Sequence, residues 1–282
     1  MSAVLMDGKA LSVQVRGQIL EQTRRLEENG VRPGLAVILV GEDPASQVYV
    51  RNKEKACAEC GFYSEKYVLP AETEENELLG LIDELNQNPR IHGILCQLPL
   101  PKHIREETVI AAIDARKDVD AFHSSNVGKI MIGNFDFLPC TPAGVMELLD
   151  AYGIDPSGKR CVVIGRSNIV GKPMSMLLLH RNGTVTICHS KTEQLADICR
   201  EADILVAAVG RAGFVTRDMV KSGAVVIDVG MNRVDGRLCG DVAPDVAETA
   251  GYMTPVPGGV GPMTITMLMK NTLKAAQLSL QK

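Results

Sequence analysis

Lys53 is the residue whose type and position best suit acid–base chemistry, because it lies on the apolar face of a predicted helix. Asp43 suits the N-cap of this helix, Pro44 its first position and Gly61 a left-handed C-terminal cap. Helical spacing places these residues on one face: Ser46, Tyr49, Val50, Lys53, Ala56, Cys57 and Cys60. A lysine on a buried face loses water, which lowers its pKa and makes the amine usable as an acid or base near neutral pH.

The helix alone leaves two interpretations of Lys53 open. In the first, the amine is desolvated and transfers protons; in the second, the side chain extends past its neighbours and keeps its charge in water.

Cys57 and Cys60 form a C-x-x-C on the same face, for which a structural or redox role stays open. No second C-x-x-C pair completes a zinc site, and the histidines lack the spacing of a metal motif, so the sequence predicts no metal site.

A second candidate site follows the apolar strand Cys161–Ile164, which runs directly into Gly165. A buried strand, a tight glycine turn and a helix start are typical of phosphate binding. The next glycine is Gly171, so the spacing differs from G-x-G-x-x-G, and an ordinary strand-to-helix turn also fits. The following strand ends without the acidic residue that binds the ribose of NAD. The strand is followed instead by the hydroxyl of Ser190 and the cation of Lys191, and Arg166 lies in the first loop; this combination suits a ribose phosphate, so the sequence favours NADP over NAD.

Composition limits the class of protein. The chain has 282 residues, of which 45% are hydrophobic and 23% are charged, enough for one large or two ordinary cored domains. The net charge of -4 argues against a nucleic-acid partner. No stretch approaches the roughly 20 apolar residues of a membrane helix. The first residues lack the pattern of a signal peptide, so we expect a cytoplasmic protein with no membrane partner.

The elements that position these residues alternate between helices and strands in the first half of the chain. The predicted elements are a helix at about 9–29, a strand at 35–40, the Lys53 helix, a strand at 67–69, a helix at 74–86 and a strand at 91–96. Strands that are apolar throughout and separated by helices predict a parallel sheet covered on both faces.

A second structural unit begins near residue 140. Thr141 and Pro142 resemble the N-cap and first residue of a helix that reaches about Tyr152. The strands predicted after it are 160–164, 184–188, 203–209 and 224–229, and a last helix at about 263–280 is predicted to pack on the first domain. We therefore predict an α/β chain of two domains: a parallel-sheet domain at 1–139 with the helix 262–282, and a Rossmann-like doubly wound domain at 140–261.

A glycine- and proline-rich segment, Pro257–Thr264, identifies a family resemblance. Such a segment brings backbone close to a ligand, although a rigid crossover between domains is the alternative. With the segment, the chain resembles the methylenetetrahydrofolate dehydrogenase/cyclohydrolases in these ordered motifs: Asp7–Lys9, Ser46-x-x-Tyr49-x-x-x-Lys53, Gly93–Pro101, Lys117–Asp120, Gly165–Ser167 and Ile227–Gly230. The chain departs from the family at Ala121, usually glycine, at Ser124, commonly proline, and at Met231, usually a smaller aliphatic residue.

The resemblance implies a bifunctional enzyme of one-carbon metabolism. In this family, a hydride passes from methylenetetrahydrofolate to NADP, and the resulting methenyl cation is then hydrated and opened to formyltetrahydrofolate. In this family the second domain binds the nucleotide and the tetrahydrofolate substrate lies in the cleft between domains, and from the resemblance we expect a homodimer.

The resemblance also implies roles for individual residues. Its catalytic residues are Lys53, Tyr49 and Gln97. Its substrate-binding residues are Tyr49, Asp120, Gln97, Pro257 and Gly258. Its cofactor-binding residues are Gly165, Arg166, Ser167, Ser190 and Met231.

Two other functional classes share some of these features. Tyr-x-x-x-Lys is also the signature of short-chain dehydrogenases, but in those enzymes the glycine loop precedes the Tyr-Lys helix, and here it follows by more than a hundred residues. A non-catalytic nucleotide-binding regulator would have kept the fold and lost the chemistry. The set of Tyr49, Lys53, Gln97 and Asp120 argues against such a regulator.

Overall fold

The computed structural model describes residues 2–280 of an α/β chain. The chain divides into two compact units, one formed by Met1–Val13 and Thr141–Thr264 and the other by Gln14–Cys140 and Ile265–Lys282. Each unit contains a parallel sheet, so the predicted two-domain α/β fold is confirmed. No helix in the described part of the chain is both long and apolar enough to cross a membrane. Residues 2–280 also contain no group of three acidic, histidine or cysteine side chains that is arranged to hold a metal ion.

Helices and strands alternate along most of the chain. The helices are α1 (Gly8–Glu28), α2 (Pro44–Glu59), α3 (Glu75–Gln87), α4 (Glu106–Ala112), α5 (Ser124–Ile132), α6 (Cys140–Ala151), α7 (Gly171–His180), α8 (Leu195–Arg200) and α9 (Val260–Ser279). The strands are β1 (Val4–Leu5), β2 (Gly34–Val40), β3 (Tyr63–Leu69), β4 (Gly93–Cys96), β5 (Arg160–Ile164), β6 (Thr184–Cys188), β7 (Ile204–Ala207), β8 (Val225–Asp228), β9 (Asn232–Val234), β10 (Arg237–Cys239) and β11 (Tyr252–Met253).

The smaller sheet has the order β3-β2-β4, with all strands parallel. Its central strand β2 is buried along its whole length because every residue after Gly34 is apolar. Helix α3 packs Leu78, Ile82 and Leu85 into the core on one face of this sheet. Helix α2 follows the carboxyl end of β2, and Gln97 follows β4 with its N–H on the Ile38 carbonyl at 2.8 Å. The carboxyl edge of this sheet therefore carries both α2 and Gln97.

The larger sheet has the order β1-β11-β8-β7-β5-β6. Its core consists of apolar side chains from these strands and the segments beside them, among them Val162, Leu205 and Val226. We predicted that residues 1–13 belong to the first domain, but Val4 pairs with Tyr252 in this larger sheet. A strand of two residues is too short for hydrophobic periodicity to reveal, which is why the sequence analysis missed it.

Several element boundaries differ from the predicted ones. Strand β3 begins at Tyr63 and not near Tyr67, since its first half alternates polar residues with partly buried ones. Helix α6 begins at Cys140, so Thr141 and Pro142 lie in its first turn and not at the cap. The hairpin of β9 and β10 was not predicted.

Candidate functional site

Helix α2 buries the face that the sequence predicts. The Asp43 side chain accepts a hydrogen bond from the Ser46 N–H at 2.7 Å, which caps the helix, and Pro44 begins it. The predicted face residues are buried except Tyr49, which is half-buried, whereas Arg51, Asn52, Lys55 and Glu59 on the other side are exposed. Lys53 is only 8% exposed. The structure therefore favours the desolvated amine over a side chain that extends into water.

The Lys53 amine is hydrogen-bonded to a neutral partner. Its Nζ donates to Oε1 of Gln97 at 2.7 Å. The Nε2 group of Gln97 donates to the Leu98 carbonyl at 2.7 Å, which fixes the orientation of the amide. An amide oxygen stabilises an ammonium less than a carboxylate does, so this partner holds the amine in place without fixing its charge.

Asp120 and Cys140 complete the polar surroundings of Lys53. Burial lowers the pKa of Lys53, while the charge of Asp120 acts in the opposite direction. Burial raises the pKa of Asp120, and Lys53 opposes that rise. The Cys140 thiol is hydrogen-bonded to Asp120, and burial raises the pKa of this thiol well above its usual value. The four groups Lys53, Gln97, Asp120 and Cys140 thus form one cluster, called here the lysine cluster, in which burial favours the uncharged forms.

Tyr49 lies one turn before Lys53 on the same face of α2. Burial raises the pKa of its phenol, so Tyr49 stays protonated at neutral pH. The sequence does not mark Cys140 as a site residue, because its segment indicates only the start of a helix. The signal available was a thiol directly before Thr141-Pro142, which is too common a combination to indicate a site.

The glycine loop after β5 has the geometry of a phosphate cradle. Gly165 has φ of 126°, and a Cβ at this position would overlap the Ala208 carbonyl group. A Cβ at Gly171 would overlap the carbonyl group of Gly165, so backbone passes close to backbone at the start of α7. The loop residues 166–169 are exposed. An exposed glycine turn that leads into a helix N-terminus is the arrangement in which nucleotide phosphates commonly bind.

The predicted cofactor residues lie at one edge of the larger sheet. Ile164 pairs with Cys188, so Arg166 and Ser190 each follow two residues after neighbouring parallel strands. Both side chains are exposed. Ser167 has a local structural contact as well, because its Oγ accepts hydrogen bonds from the N–H groups of Val170 and Gly171 at 3.1 and 3.3 Å.

The remaining predicted ligand-binding residues lie elsewhere in the unit that contains the larger sheet. Met231 follows β8 and is 43% exposed. Pro257 is exposed, and the Gly258 carbonyl accepts a hydrogen bond from the Lys9 N–H at 2.8 Å. The Pro257–Gly258 backbone is therefore anchored to the first turn of α1.

Two buried carboxylates beside β7 and β8, called here the aspartate pair, were also missed. Asp241 accepts hydrogen bonds from the N–H groups of residues 209, 210 and 211 at 2.7, 2.9 and 2.8 Å, and from Asn232 Nδ2 at 2.9 Å. Asp228 accepts hydrogen bonds from the N–H groups of Gly230, Asp241 and Val242 at 3.0, 2.8 and 3.0 Å. Burial raises the pKa of Asp228 to about 6. The pair holds the loops at the carboxyl edge of the larger sheet.

Comparisons with known proteins agree with this geometry. Residues 6–120 match the catalytic domain of tetrahydrofolate dehydrogenase/cyclohydrolase, and residues 139–280 match its NAD(P)-binding domain. The bifunctional protein FolD of Moorella thermoacetica is 61% identical over 279 residues, covering 98% of this chain and 100% of the relative.

Solved structures give the same result. The bifunctional methylenetetrahydrofolate dehydrogenase/cyclohydrolase of Campylobacter jejuni has a TM-score of 0.96 at 49% identity, covering 99% of this chain and 100% of the other. The Trypanosoma brucei enzyme, complexed with NADP and an inhibitor, has a TM-score of 0.96 at 42% identity, with 100% of both chains covered. This chain belongs to the tetrahydrofolate dehydrogenase/cyclohydrolase family.

Proposed function

We propose that the chain oxidises 5,10-methylenetetrahydrofolate with NADP to 5,10-methenyltetrahydrofolate and then hydrolyses this product to 10-formyltetrahydrofolate. The family membership supports both reactions. The observation that carries the proposal is the buried Lys53 amine, held at 2.7 Å by a neutral amide and close enough to Asp120 for the two charges to interact. Burial lowers the pKa of this amine, so it gives up its proton more easily than an exposed lysine, which suits a group that exchanges protons during hydration of a cation.

Lys53 is the proposed acid–base catalyst of the hydrolysis. Water that adds to the methenyl carbon must lose a proton, and the ring nitrogen that leaves this carbon must gain one. As the carbon–nitrogen bond breaks, the hydroxyl of the intermediate releases its remaining proton to solvent and becomes the formyl oxygen. An uncharged amine accepts the first proton, and the ammonium that forms donates the second, so the amine ends in its starting state. Gln97 positions the amine through its Oε1 atom.

Tyr49 and Asp120 are proposed to bind the folate. The Tyr49 ring provides a half-buried surface on which the pterin stacks, one turn from Lys53. The Asp120 carboxylate provides two acceptor oxygens for the paired N–H donors of the aminopyrimidine edge. Pro257 and Gly258 are proposed to supply further backbone contacts to the substrate.

NADP, when bound, supplies the acceptor for the hydride that leaves the methylene carbon. Gly165 and Ser167 are proposed to hold its diphosphate at the start of α7, and Arg166 and Ser190 to bind its ribose phosphate. Met231 is proposed to contact the cofactor through its exposed side chain. Hydride transfer needs alignment of two rings and no protein acid or base. The chain's task in this step is therefore to bind and orient.

A spectrophotometric assay tests both reactions. Methylenetetrahydrofolate is mixed with the protein and either NADP or NAD, and the absorbance of reduced nucleotide and of the methenyl product is followed. We expect faster reduction of NADP than of NAD, followed by loss of the methenyl absorbance. A protein that binds NADP without reducing it would be a nucleotide-binding regulator, and the proposal would be rejected.

The assignment of folate to the unit that contains the smaller sheet, and of NADP to the unit that contains the larger sheet, remains part of this proposal. So do the homodimer and the cytoplasmic location. The family resemblance supports them. Sedimentation equilibrium at several concentrations tests the dimer, and a mass of one chain at all concentrations would reject it.

A further inference from the structure

Asn271, on helix α9, makes contacts that the proposed mechanism does not use. Its side chain is 9% exposed, and its Nδ2 atom donates hydrogen bonds to the carbonyl oxygens of Val119 and Leu138, each at 2.8 Å. The same nitrogen lies 3.8 Å from the sulfur of Cys140. Val119 directly precedes Asp120, and Leu138 lies two residues before Cys140. One buried amide therefore joins the two backbone segments that carry these members of the lysine cluster.

The backbone directly after Asp120 is in an unfavourable conformation. Ala121 has φ of 58°, in the left-handed region that disfavours a side chain, and it is 0% exposed. Its N–H donates to the Asp118 carbonyl at 3.1 Å, which closes a turn around Asp120. A residue other than glycine keeps such a backbone only where the surrounding contacts enforce it.

Asp118 supplies contacts on the far side of this turn. Its Oδ2 atom accepts hydrogen bonds from the N–H of His123 and from Nδ2 of Asn126, each at 2.8 Å. The same Asn126 amide donates to the Ala115 carbonyl at 2.9 Å. The segment after Asp120 is therefore fixed by local side chains, whereas the Val119 carbonyl directly before Asp120 accepts a hydrogen bond from Asn271, more than a hundred residues away in the chain.

We infer that Asn271 is a positioning residue for folate binding, which sets the place of Asp120 and Cys140 relative to the Lys53 amine. The inference rests on the proposed role of Asp120. A neutral amide suits this task, because it donates to two carbonyl groups and adds no charge beside Lys53 and Asp120. A carboxylate in its place would repel both carbonyl oxygens.

Asn271→Ala is the main test, with Thr272→Val as the matched control. Thr272 lies on the same helix and is also buried, but its Oγ1 donates to the Leu268 carbonyl of its own helix at 2.8 Å. We expect Asn271→Ala to raise the KM for methylenetetrahydrofolate about tenfold or more, since small misplacements of a binding group have effects of this size or greater. The KM for NADP should not change. Thr272→Val should keep both KM values, and an equal rise in that variant would overturn the inference.

A double-mutant cycle separates positioning from general stabilisation. The affinity for tetrahydrofolate is measured by calorimetry for Asp120→Ala, Asn271→Ala and the double variant. If Asn271 acts through Asp120, then Asn271→Ala adds little to the loss caused by Asp120→Ala. Losses that multiply would show independent effects and overturn the inference.

The pH profile of the hydrolysis distinguishes a failed inference from a failed proposed function. Asp120, Cys140 and Cys57 are the titratable groups that act on Lys53, so displacing Asp120 should lower the apparent pKa of the profile. Wild-type folate affinity in Asp120→Ala would reject the folate-binding role of that residue. In that case Asn271→Ala must still shift the profile in the same direction as Asp120→Ala, and an unshifted profile would overturn the inference.

If Asn271→Ala does not fold, the variants Asn271→Ser and Ala121→Gly provide a second test. Serine retains one donor, so its effect on the KM for folate should be smaller than that of alanine and in the same direction. Glycine at position 121 removes the steric cost of the left-handed backbone. Adding Ala121→Gly to Asn271→Ser should therefore recover part of the folate affinity. No recovery would show that Asn271 does not hold this turn.

Discussion

The lysine cluster and the aspartate pair are both buried clusters of polar and ionisable side chains, but they differ in their hydrogen-bond partners. Asp241 accepts four N–H donors and Asp228 accepts three, and most of these donors belong to the backbone. Lys53 instead donates to a neutral side-chain amide. Carboxylates surrounded by backbone N–H donors are fixed in one geometry, and their hydrogen bonds fix the loops that carry those donors.

This difference distinguishes ionisable side chains that stabilise the fold from ionisable side chains that can take part in a reaction. In the aspartate pair, a change of protonation alters backbone hydrogen bonds, so titration of Asp228 changes stability. In the lysine cluster, the Gln97 Oε1 atom accepts a hydrogen bond from either an amine or an ammonium, so Lys53 can exchange a proton without losing this partner. Substitutions in the aspartate pair should therefore reduce stability, whereas substitutions in the lysine cluster should reduce activity.

The largest effect is expected for Lys53→Met on the hydrolysis of the methenyl product. Loss of the acid–base group should slow this step by about 10²-fold or more, while the dehydrogenase rate falls less because only substrate placement is disturbed. The free energy of unfolding should stay the same or rise, since a desolvated amine is replaced by an apolar side chain. Both rates and urea unfolding are measured.

Lys55→Met is the control for that experiment, because Lys55 is exposed on the opposite side of the same helix. It should leave both rates unchanged. Hydrolysis at the wild-type rate in folded Lys53→Met would show that the buried amine is structural, and the contrast between the two groups would be lost.

Asp241→Ala should have the largest effect on stability. The variant leaves buried N–H donors without an acceptor, so the free energy of unfolding should fall by about 3 kcal/mol or more. Urea unfolding of this variant is compared with that of Asp245→Ala, which removes an exposed aspartate nearby in the chain. Equal stability of the two variants would mean that the Asp241 carboxylate does not hold the 209–211 loop.

Asp228 should make the free energy of unfolding depend on pH. Its pKa is raised to about 6, so the folded state binds its proton more tightly than the unfolded state does. The stabilisation from this group is therefore complete below about pH 4 and is lost as the pH rises through about 6, in total on the order of 3 kcal/mol. Unfolding of wild type and Asp228→Asn across pH 4–8 measures it. A difference between the two proteins that does not vary with pH would contradict the raised pKa.

The smallest effect is expected at Arg166, an exposed charge that belongs to neither group. Arg166→Ala should raise the KM for NADP by about tenfold through loss of a charge-assisted hydrogen bond, and it should affect NAD little. The surface variant Arg25→Ala is the control. Equal changes for NADP and NAD would show that Arg166 does not bind the ribose phosphate.

Local features of this chain could be predicted, and features that depend on distant residues could not. Asp43, Pro44 and the apolar spacing that follows define α2 within one segment, and the structure confirms its cap and its buried face. Neither the hydrogen bond from Asn271 to Val119 nor the Asp241 contacts leave a periodic signal, because they join loops to residues far along the chain. Strand β3 was predicted too short because partly buried polar residues mask its alternation.

The pairing of Val4 with Tyr252 has a consequence for synthesis of the chain on the ribosome. At about 5–20 residues per second, β1 emerges tens of seconds before the strand that it pairs with. The smaller sheet needs only residues 34–96 and can form in that interval. A nascent chain that stops before Tyr252 leaves β8 with an unpaired edge, and such edges promote aggregation. Chaperones and proteases that survey incomplete chains therefore have a defined strand edge to bind.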